Sequence, residues 1–321
     1  MPVIRADALI ARKAARLLLP NVVIAGAPKC GTTSVFAWLA DHPDVCASSV
    51  KETYFFMDRE WPTFNARSNY ADHGLGAYAS YFEHCDVSSS RVILEGTPGY
   101  IYQETAREML AQLESKPRVI FLLRKPSERV YSFYEYARNN LATLDRSITF
   151  AQFVELAARE DQGRLTDLTR WAITQSRYVD YLERWLEHFP PGRIQLLLFE
   201  HMIRDERRFM RDLATHLGLE PSYYDSYPFL RKKPTVRTRS SRLHRLRLSL
   251  GRMIPAGRFK KRAHRALKAP YAALNFRVGS GDRSDEERAV LARLDSEFAP
   301  DNRRLAQLTG LDLSIWGEAT R

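Results

Sequence analysis

Three short stretches carry residue types at spacings suited to anion chemistry. In the first, the apolar run Val22-Val23-Ile24-Ala25 leads into Gly26-Ala27-Pro28-Lys29-Cys30-Gly31 and then into a helix-like stretch opening at Thr32. Strand, glycine-bounded loop and helix in that order make an anion cradle. Backbone N–H groups face into the loop, and the unsatisfied donors and positive dipole end of the helix stand behind them. The Gly26-x-x-x-x-Gly31 spacing is that of a P-loop, but Thr32 follows where a nucleoside-triphosphate site has lysine, and Lys29 sits inside the loop instead. Such a cradle fits a 5′-phosphate-type group held without the usual magnesium machinery. In the second stretch, Arg124 closes the apolar run Phe121-Leu122-Leu123, and Ser132 lies two turns into the next helix. A fork-shaped guanidinium with a hydroxyl donor grips a phosphate monoester. Taken alone, the pair also fits an exposed arginine and a helix serine bonded to its own turn. The third stretch is Lys51-Glu52-Thr53-Tyr54-Phe55-Phe56. The helix after the loop carries the chain roughly 15 Å away, and the extended residues that follow can cover up to about 30 Å back. Glu52 can therefore lie beside Lys29.

Pro28-Lys29-Cys30-Gly31-Thr32-Thr33-Ser34 resembles the 5′-phosphosulfate loop of sulfotransferases that use 3′-phosphoadenosine 5′-phosphosulfate (PAPS). Arg124 and Ser132 resemble the 3′-phosphate motif of the same family, and Arg124 follows Lys29 by 95 residues. The resemblance implies that Lys29, Cys30, Gly31, Thr32, Thr33 and Ser34 hold the 5′ side of the nucleotide, with Arg124 and Ser132 on the 3′ side. Tyr178, in Gln175-Ser176-Arg177-Tyr178, resembles a tyrosine that meets the adenine edge, although core packing fits it nearly as well. Arg237 and Arg239 stand where family members close a basic loop over the 3′-phosphate. In the reaction a hydroxyl or amine attacks sulfur in line. A base on the acceptor, a cation on the leaving oxygen and donors around the sulfo group assist. Lys29 supplies the cation. The cytosolic branch places a histidine where this chain has Thr97-Pro98; the carbohydrate branch, heparan sulfate enzymes included, uses a glutamate in a context that Lys51–Phe56 matches. The resemblance thus implies Glu52 as base, the alternative being a surface pair with Lys51 or an arginine. There are departures. Gly96 stands where the heparan enzymes have lysine, Ser34 where the cytosolic branch has tryptophan, and no cysteine follows Cys85 to form those enzymes' C-terminal disulfide loop. The resemblance covers residues 20–220 and the short tail ending at Trp316, itself read as a packing anchor.

A scaffold must bring these stretches together. Apolar runs at Val22–Ala25, Arg91–Leu94, Arg118–Leu123 and Ile194–Phe199 read as strands. Helical patterns fall at Thr32–Asp41, stopped by His42-Pro43, at Gln103–Leu113 and at Glu128–Asn139, opened by Pro126. Others fall at 150–160, at 170–189 and at Arg207–Leu217, ended by Gly218. Residues 58–90 read as loop-rich, with a helical Tyr78–His84. The alternation predicts a P-loop-like α/β fold, a mainly parallel sheet with helices on both faces. Ligands bind beyond the carboxyl ends of such strands. Lys29, Thr97 and Arg124 all follow strand ends, so one crevice can collect them. A single domain over 1–321 is expected, with an amphipathic N-terminal helix at 1–20 and the nucleotide-binding core at 21–225. A basic helical lid at 226–281 and a C-terminal helix and tail at 282–321 complete it.

Composition narrows the rest. No apolar run approaches the roughly 20 residues of a membrane span, and Met1–Pro20 lacks the apolar core of a secretory signal. Cys30, Cys46 and Cys85 make no even framework, which points to a reducing cytoplasm; Cys30 is either plain packing or a redox-sensitive thiol. The net charge of +11 is uneven, because Ser226–Gly281 holds 16 Lys or Arg and no acid, leaving −5 for the remainder. Residues 243–250 and 259–265 read as basic amphipathic helices. Through 243–268 they suit peripheral contact with an anionic membrane at its inner face, an acidic acceptor, or a merely solvated face. Sparse aromatic interleaving argues against nucleic acid. The expectation is sulfo transfer from PAPS to a hydroxyl of a carbohydrate or glycolipid, with no metal and with adenosine 3′,5′-bisphosphate as product. The rivals are a P-loop kinase-like phosphotransferase, with Glu200 as the nearest magnesium-holding acid, and a basic membrane- or nucleic-acid-binding protein.

Overall fold

The computed structural model describes residues 17–141, 143–229, 236–238, 276–278 and 282–317. Five strands, β1 (Val22–Gly26), β2 (Val45–Ala47), β3 (Val92–Glu95), β4 (Arg118–Leu123) and β5 (Ile194–Leu198), form one sheet in the order β2-β3-β1-β4-β5. Every neighbouring pair in it is parallel. All of β1 and β3 is buried, as are Val119–Leu123 of β4, which is why these strands read as unbroken apolar runs. The register between β1 and β4 shifts at Ile24/Gly26, where the strand bends into the phosphate loop. A Cβ on Gly26 would lie 2.7 Å from Phe121 Cδ1, so only glycine lets the bend sit against β4.

Helix α1 (Thr32–Ala40) follows the loop, and α2 (Tyr70–Ala79), α3 (Glu104–Gln112), α4 (Pro126–Tyr136), α5 (Phe150–Ala158), α6 (Tyr178–His188), α7 (Phe199–Arg204) and α8 (Glu206–Leu217) cover the sheet and extend it. Pro126 at the first turn of α4 and Gly218 at φ +75° after α8 mark boundaries as the sequence implies. The long α9 (Asp285–Thr309) is opened by a Ser284/Glu287 capping box and closed by Gly310 at φ +71°. Its stripe of Val290, Leu291, Leu294 and Phe298 joins Val130, Tyr134, Phe150 and Phe153 in a second core beside the sheet.

Four expectations are corrected. The helix expected at Tyr78–His84 is Tyr70–Ala79 plus a 3-10 turn at Ser80–Phe82; Asn69 caps it, and Gly74 breaks its regularity with φ +64°, which hides the periodicity. The helix after Arg124 starts at Pro126 and passes into a π turn at Ala137–Leu141. Cys46 and Cys85 are not independent thiols but a disulfide, joining β2 to the chain that leads into β3. The described ends of the basic segment are strands, Val236–Thr238 paired antiparallel with Phe276–Val278 (β6 and β7), rather than helix. The N-terminal helix, the basic helices at 243–250 and 259–265, the membrane contact read at 243–268 and Arg239 lie outside the described residues. Among the described residues no helix is long and apolar enough to cross a membrane.

The Cys46–Cys85 bridge closes a loop 39 residues long. Reduction, or Cys85→Ser, is expected to destabilise the fold by about 2–4 kcal/mol, read as a lower Tm in thermal denaturation with and without a phosphine reductant. Coincident melts would show that the bridge does not hold in solution.

Candidate active site

A cleft of about 400 Å³ opens beyond the carboxyl ends of the central strands, and Lys29, Gly31, Thr32, Thr33, Ser34, Glu52, Arg124 and Ser132 all line it. The Gly26–Gly31 loop forms one wall. Gly31 is the N-cap of α1 at φ +87°, and a Cβ there would lie 2.7 Å from Met202 Cε, so both conformation and packing demand glycine. No side chain caps α1 and no acid occupies its first turn, which leaves that dipole end available to a bound anion. Lys29 is held at φ +71°, with its ammonium 3.8 Å from the centroid of the Tyr136 ring.

The loop is fastened from behind. Arg129, fully buried on α4, donates from Nε to Pro28 O at 3.0 Å and from its Nη atoms to Ser176 Oγ at 2.7 Å and Tyr102 OH at 2.5 Å. Tyr178 is also buried, and it is absent from the cleft wall. Its hydroxyl donates to Arg124 O at 2.8 Å and lies 3.5 Å from Cys30 Sγ. Tyr178 thus links the loop that carries Lys29 to Arg124 from behind the cleft wall. Cys30 has no exposure, and burial raises its thiol above the ordinary range despite Arg129 nearby. It is packing, not a redox thiol.

The Arg124 guanidinium, also on the cleft wall, lies 4.7 Å from the centroid of the Phe199 ring. Its Nη2 meets Glu128 Oε2 at 3.2 Å, while its buried Nε has no partner. Glu128 is gripped in turn by both ends of Arg283, at 2.6 and 2.7 Å. Burial alone would push the Glu128 carboxyl up, but Arg283 and Arg124 outweigh it and hold it below the usual range. Sequence reasoning missed Arg283. Its only signal is being the first cation after the acid-free segment, one residue ahead of the capping serine of α9. β6, which contains Arg237, runs beside Ala137–Leu141 at the cleft edge.

Glu52 completes the site. Its N–H donates to Gly96 O at 3.1 Å, and its backbone is left-handed at φ +65°. Lys51 Nζ meets Oε1 at 2.6 Å, and Tyr54 OH donates to Oε2 at 2.5 Å. The pairing with Lys51 and the place in the cleft thus coexist. Burial raises the hydroxyls of Tyr54 and Tyr136, and the Glu52 charge raises both further. Tyr136 therefore has the Lys29 ammonium over its ring and the Glu52 carboxylate within electrostatic reach. At Gly96 a Cβ would lie 2.6 Å from Phe36 Cδ2, so Phe36 occupies the space a side chain there would need. The kinase reading loses its acid. Glu200 accepts from Lys125 N at 3.0 Å and Trp316 Nε1 at 2.9 Å, and it does not line the cleft. Trp316 is buried, as an anchor should be.

A family model described as Sulfotransferase domain matches residues 19–228. The chain belongs to the sulfotransferase family. It is 27% identical over 205 residues to human bifunctional heparan sulfate N-deacetylase/N-sulfotransferase 3, a match covering 64% of this chain and 23% of that protein. It is 26% identical over 294 residues to mouse heparan sulfate glucosamine 3-O-sulfotransferase 3B1, covering 92% of this chain and 64% of the relative. The matched region thus spans about a quarter of the first relative and under two thirds of the second. A sulfotransferase from Alicyclobacillus acidocaldarius superposes with a TM-score of 0.63 at 21% identity, covering 93% of this chain and 99% of that one, and shares the fold.

One acid in this sulfotransferase lies outside the cleft wall. Burial pushes the Glu95 carboxyl, at the end of β3, up to about 7, against the opposing hydrogen bonds of Thr97 and Thr53. A carboxyl raised in this way contributes stability that is complete below its ordinary value and is lost as pH rises through about 7. Relative to Glu95→Gln, which cannot titrate there, the wild-type Tm should fall between pH 5 and pH 8. Parallel Tm curves would show that Glu95 does not change charge in this range.

Proposed function

We propose that this sulfotransferase moves the sulfo group of PAPS to a hydroxyl of a carbohydrate or glycolipid acceptor, with Glu52 as base and Lys29 at the leaving oxygen. The observation that carries the reading is that Lys29, Arg124 and Glu52 line one cleft around an uncapped helix N-terminus. Two anion grips facing one space suit a nucleotide charged at both ends. When bound, PAPS supplies an activated sulfo group and leaves as adenosine 3′,5′-bisphosphate. The loop N–H groups with Thr32 and Thr33 hold the 5′ side. Arg124 and Ser132 hold the 3′ side, with Arg283 restraining Glu128 behind Arg124. Arg237 is the further cation proposed for the 3′-phosphate.

Glu52 removes the acceptor proton as the hydroxyl oxygen bonds to sulfur. Lys51 and Tyr54 donate to its two oxygens and fix the carboxylate in place. Lys29 meets the charge that develops on the bridging oxygen as its bond to sulfur breaks. The names of the heparan sulfate relatives support a carbohydrate acceptor, and the Glu52 context supports the same branch.

Labelled-sulfate transfer into polysaccharide and lipid extracts tests the chemistry. Glu52→Gln should lower turnover by about 10²–10⁴-fold while leaving the thermal shift with adenosine 3′,5′-bisphosphate intact; a loss below about tenfold rejects the base role. Arg124→Ala should weaken bisphosphate binding by about 1.5–3 kcal/mol, the worth of a charged hydrogen bond. The bisphosphate should outperform magnesium-ATP in the shift assay, and chelator should leave transfer unchanged. Preference for magnesium-ATP would replace this reading with a phosphotransferase.

A further inference from the structure

Glu95 is an acid where the chain needs none for its fold. It ends β3 after Val92-Ile93-Leu94, has no exposure, and does not line the cleft. A buried carboxyl is costly unless its oxygens are satisfied, yet only one of them is. Oε1 accepts from Thr97 Oγ1 at 2.6 Å and from Thr53 Oγ1 at 3.0 Å, while Oε2 has no partner.

Both threonines lead to the base. Thr53 lies between Glu52 and Tyr54, which adopt left-handed backbone at φ +65° and +54°. Such conformations are uncommon for residues with a Cβ and persist only where the surroundings enforce them. The enforcement is visible. Tyr54 N donates to Thr97 Oγ1 at 3.4 Å, and Phe55 N donates to Thr53 Oγ1 at 3.3 Å. Tyr100 OH lies 3.0 Å from Thr53 Oγ1 and also receives Phe55 N and Phe56 N. We propose that Glu95 is the positioning residue of the acceptor side: its buried carboxylate holds the Thr53 and Thr97 hydroxyls, and through them the left-handed segment that presents Glu52. The proposal rests on the reading of Glu52 as base.

The groups facing Glu95 are Thr53, Thr97 and Lys51, with Tyr78 and Tyr100 feeling its charge. Tyr78 OH is likewise buried without a partner. Because the folded chain holds the Glu95 proton more tightly than an exposed carboxyl does, opening that exposes Glu95 should grow easier as pH rises through about 7.

Amide hydrogen exchange of the intact chain, with bisphosphate affinity measured in parallel, tests this without needing an identified acceptor. Glu95→Gln should speed exchange at residues 54–56 by about ten- to a hundredfold, the worth of a charged hydrogen bond. Its affinity for adenosine 3′,5′-bisphosphate should stay within about twofold, because the nucleotide grips lie elsewhere. After correction for intrinsic rates, the wild-type protection of 54–56 should fall through neutrality, and that step should vanish in Glu95→Gln. Thr53→Val removes one hydroxyl from the other end and should mimic Glu95→Gln, while Thr53→Ser should behave as wild type. Unchanged exchange at 54–56, or equal loosening across β1 and β4, overturns the proposal. Failure of the two readings is separable. If Glu52→Gln abolishes labelled-sulfate transfer but Glu95→Gln leaves exchange unaltered, the anchor fails and the base stands. If Glu52→Gln retains transfer, the base fails and the positioning role falls with it, whatever the exchange shows.

Discussion

The guanidinium of Arg129 lies out of water, and among the described residues no carboxylate pairs with it. Its protons go to Pro28 O, Ser176 Oγ and Tyr102 OH, and the rings of Phe133 and Tyr178 lie at 4.8 and 5.9 Å. Burying a charge this way is tolerable only with its donors met, and each such bond is worth about 1.5–3 kcal/mol. One consequence is geometric, because the Pro28 carbonyl is fixed and the next residue, Lys29, is held left-handed over Tyr136. The other is electrostatic. A full positive charge sits directly beneath a loop whose N–H groups already favour an anion.

The two halves of the cleft are built on different principles. Around the Lys29 loop and Arg124, cations are restrained by other groups: Arg129 by carbonyl and hydroxyl oxygens, Arg124 by Glu128, and Glu128 by Arg283. At Glu52 an acid is restrained, set by Lys51, Tyr54 and the backbone bond to Gly96. Phe36 closes the position beside Gly96.

Much of the fold was legible because its signals are local. Buried parallel strands announce themselves as apolar runs at 22–25 and 119–123, and the glycine pair with Arg124 marks where two of them end. Glu52 could be placed by helix length and chain reach alone. What escaped was long-range. Arg129 is one arginine among many, and nothing in its neighbourhood says that it alone points inward. Tyr178 was legible as a site residue but not as one that works from behind, since its partners Cys30 and Arg124 lie 148 and 54 residues away. Glu95 is one acid after an apolar run, and the hydroxyl that gives it meaning comes from 42 residues upstream. The Cys46–Cys85 pair was hidden by an odd cysteine count, and α2 by the irregular Gly74.

The last helix reaches back across the molecule. Asp295 receives Ser127 Oγ at 2.5 Å and Lys125 Nζ at 2.7 Å, and Trp316 shares Glu200 with Lys125 N. Arg283, just before that helix, closes on Glu128. During synthesis on the ribosome, the loop and all five strands of the main sheet emerge well before these residues do. A nascent chain can thus shape the Gly26–Gly31 loop early, yet the surroundings of Arg124 are finished only once Arg283 and Asp295 have left the exit tunnel.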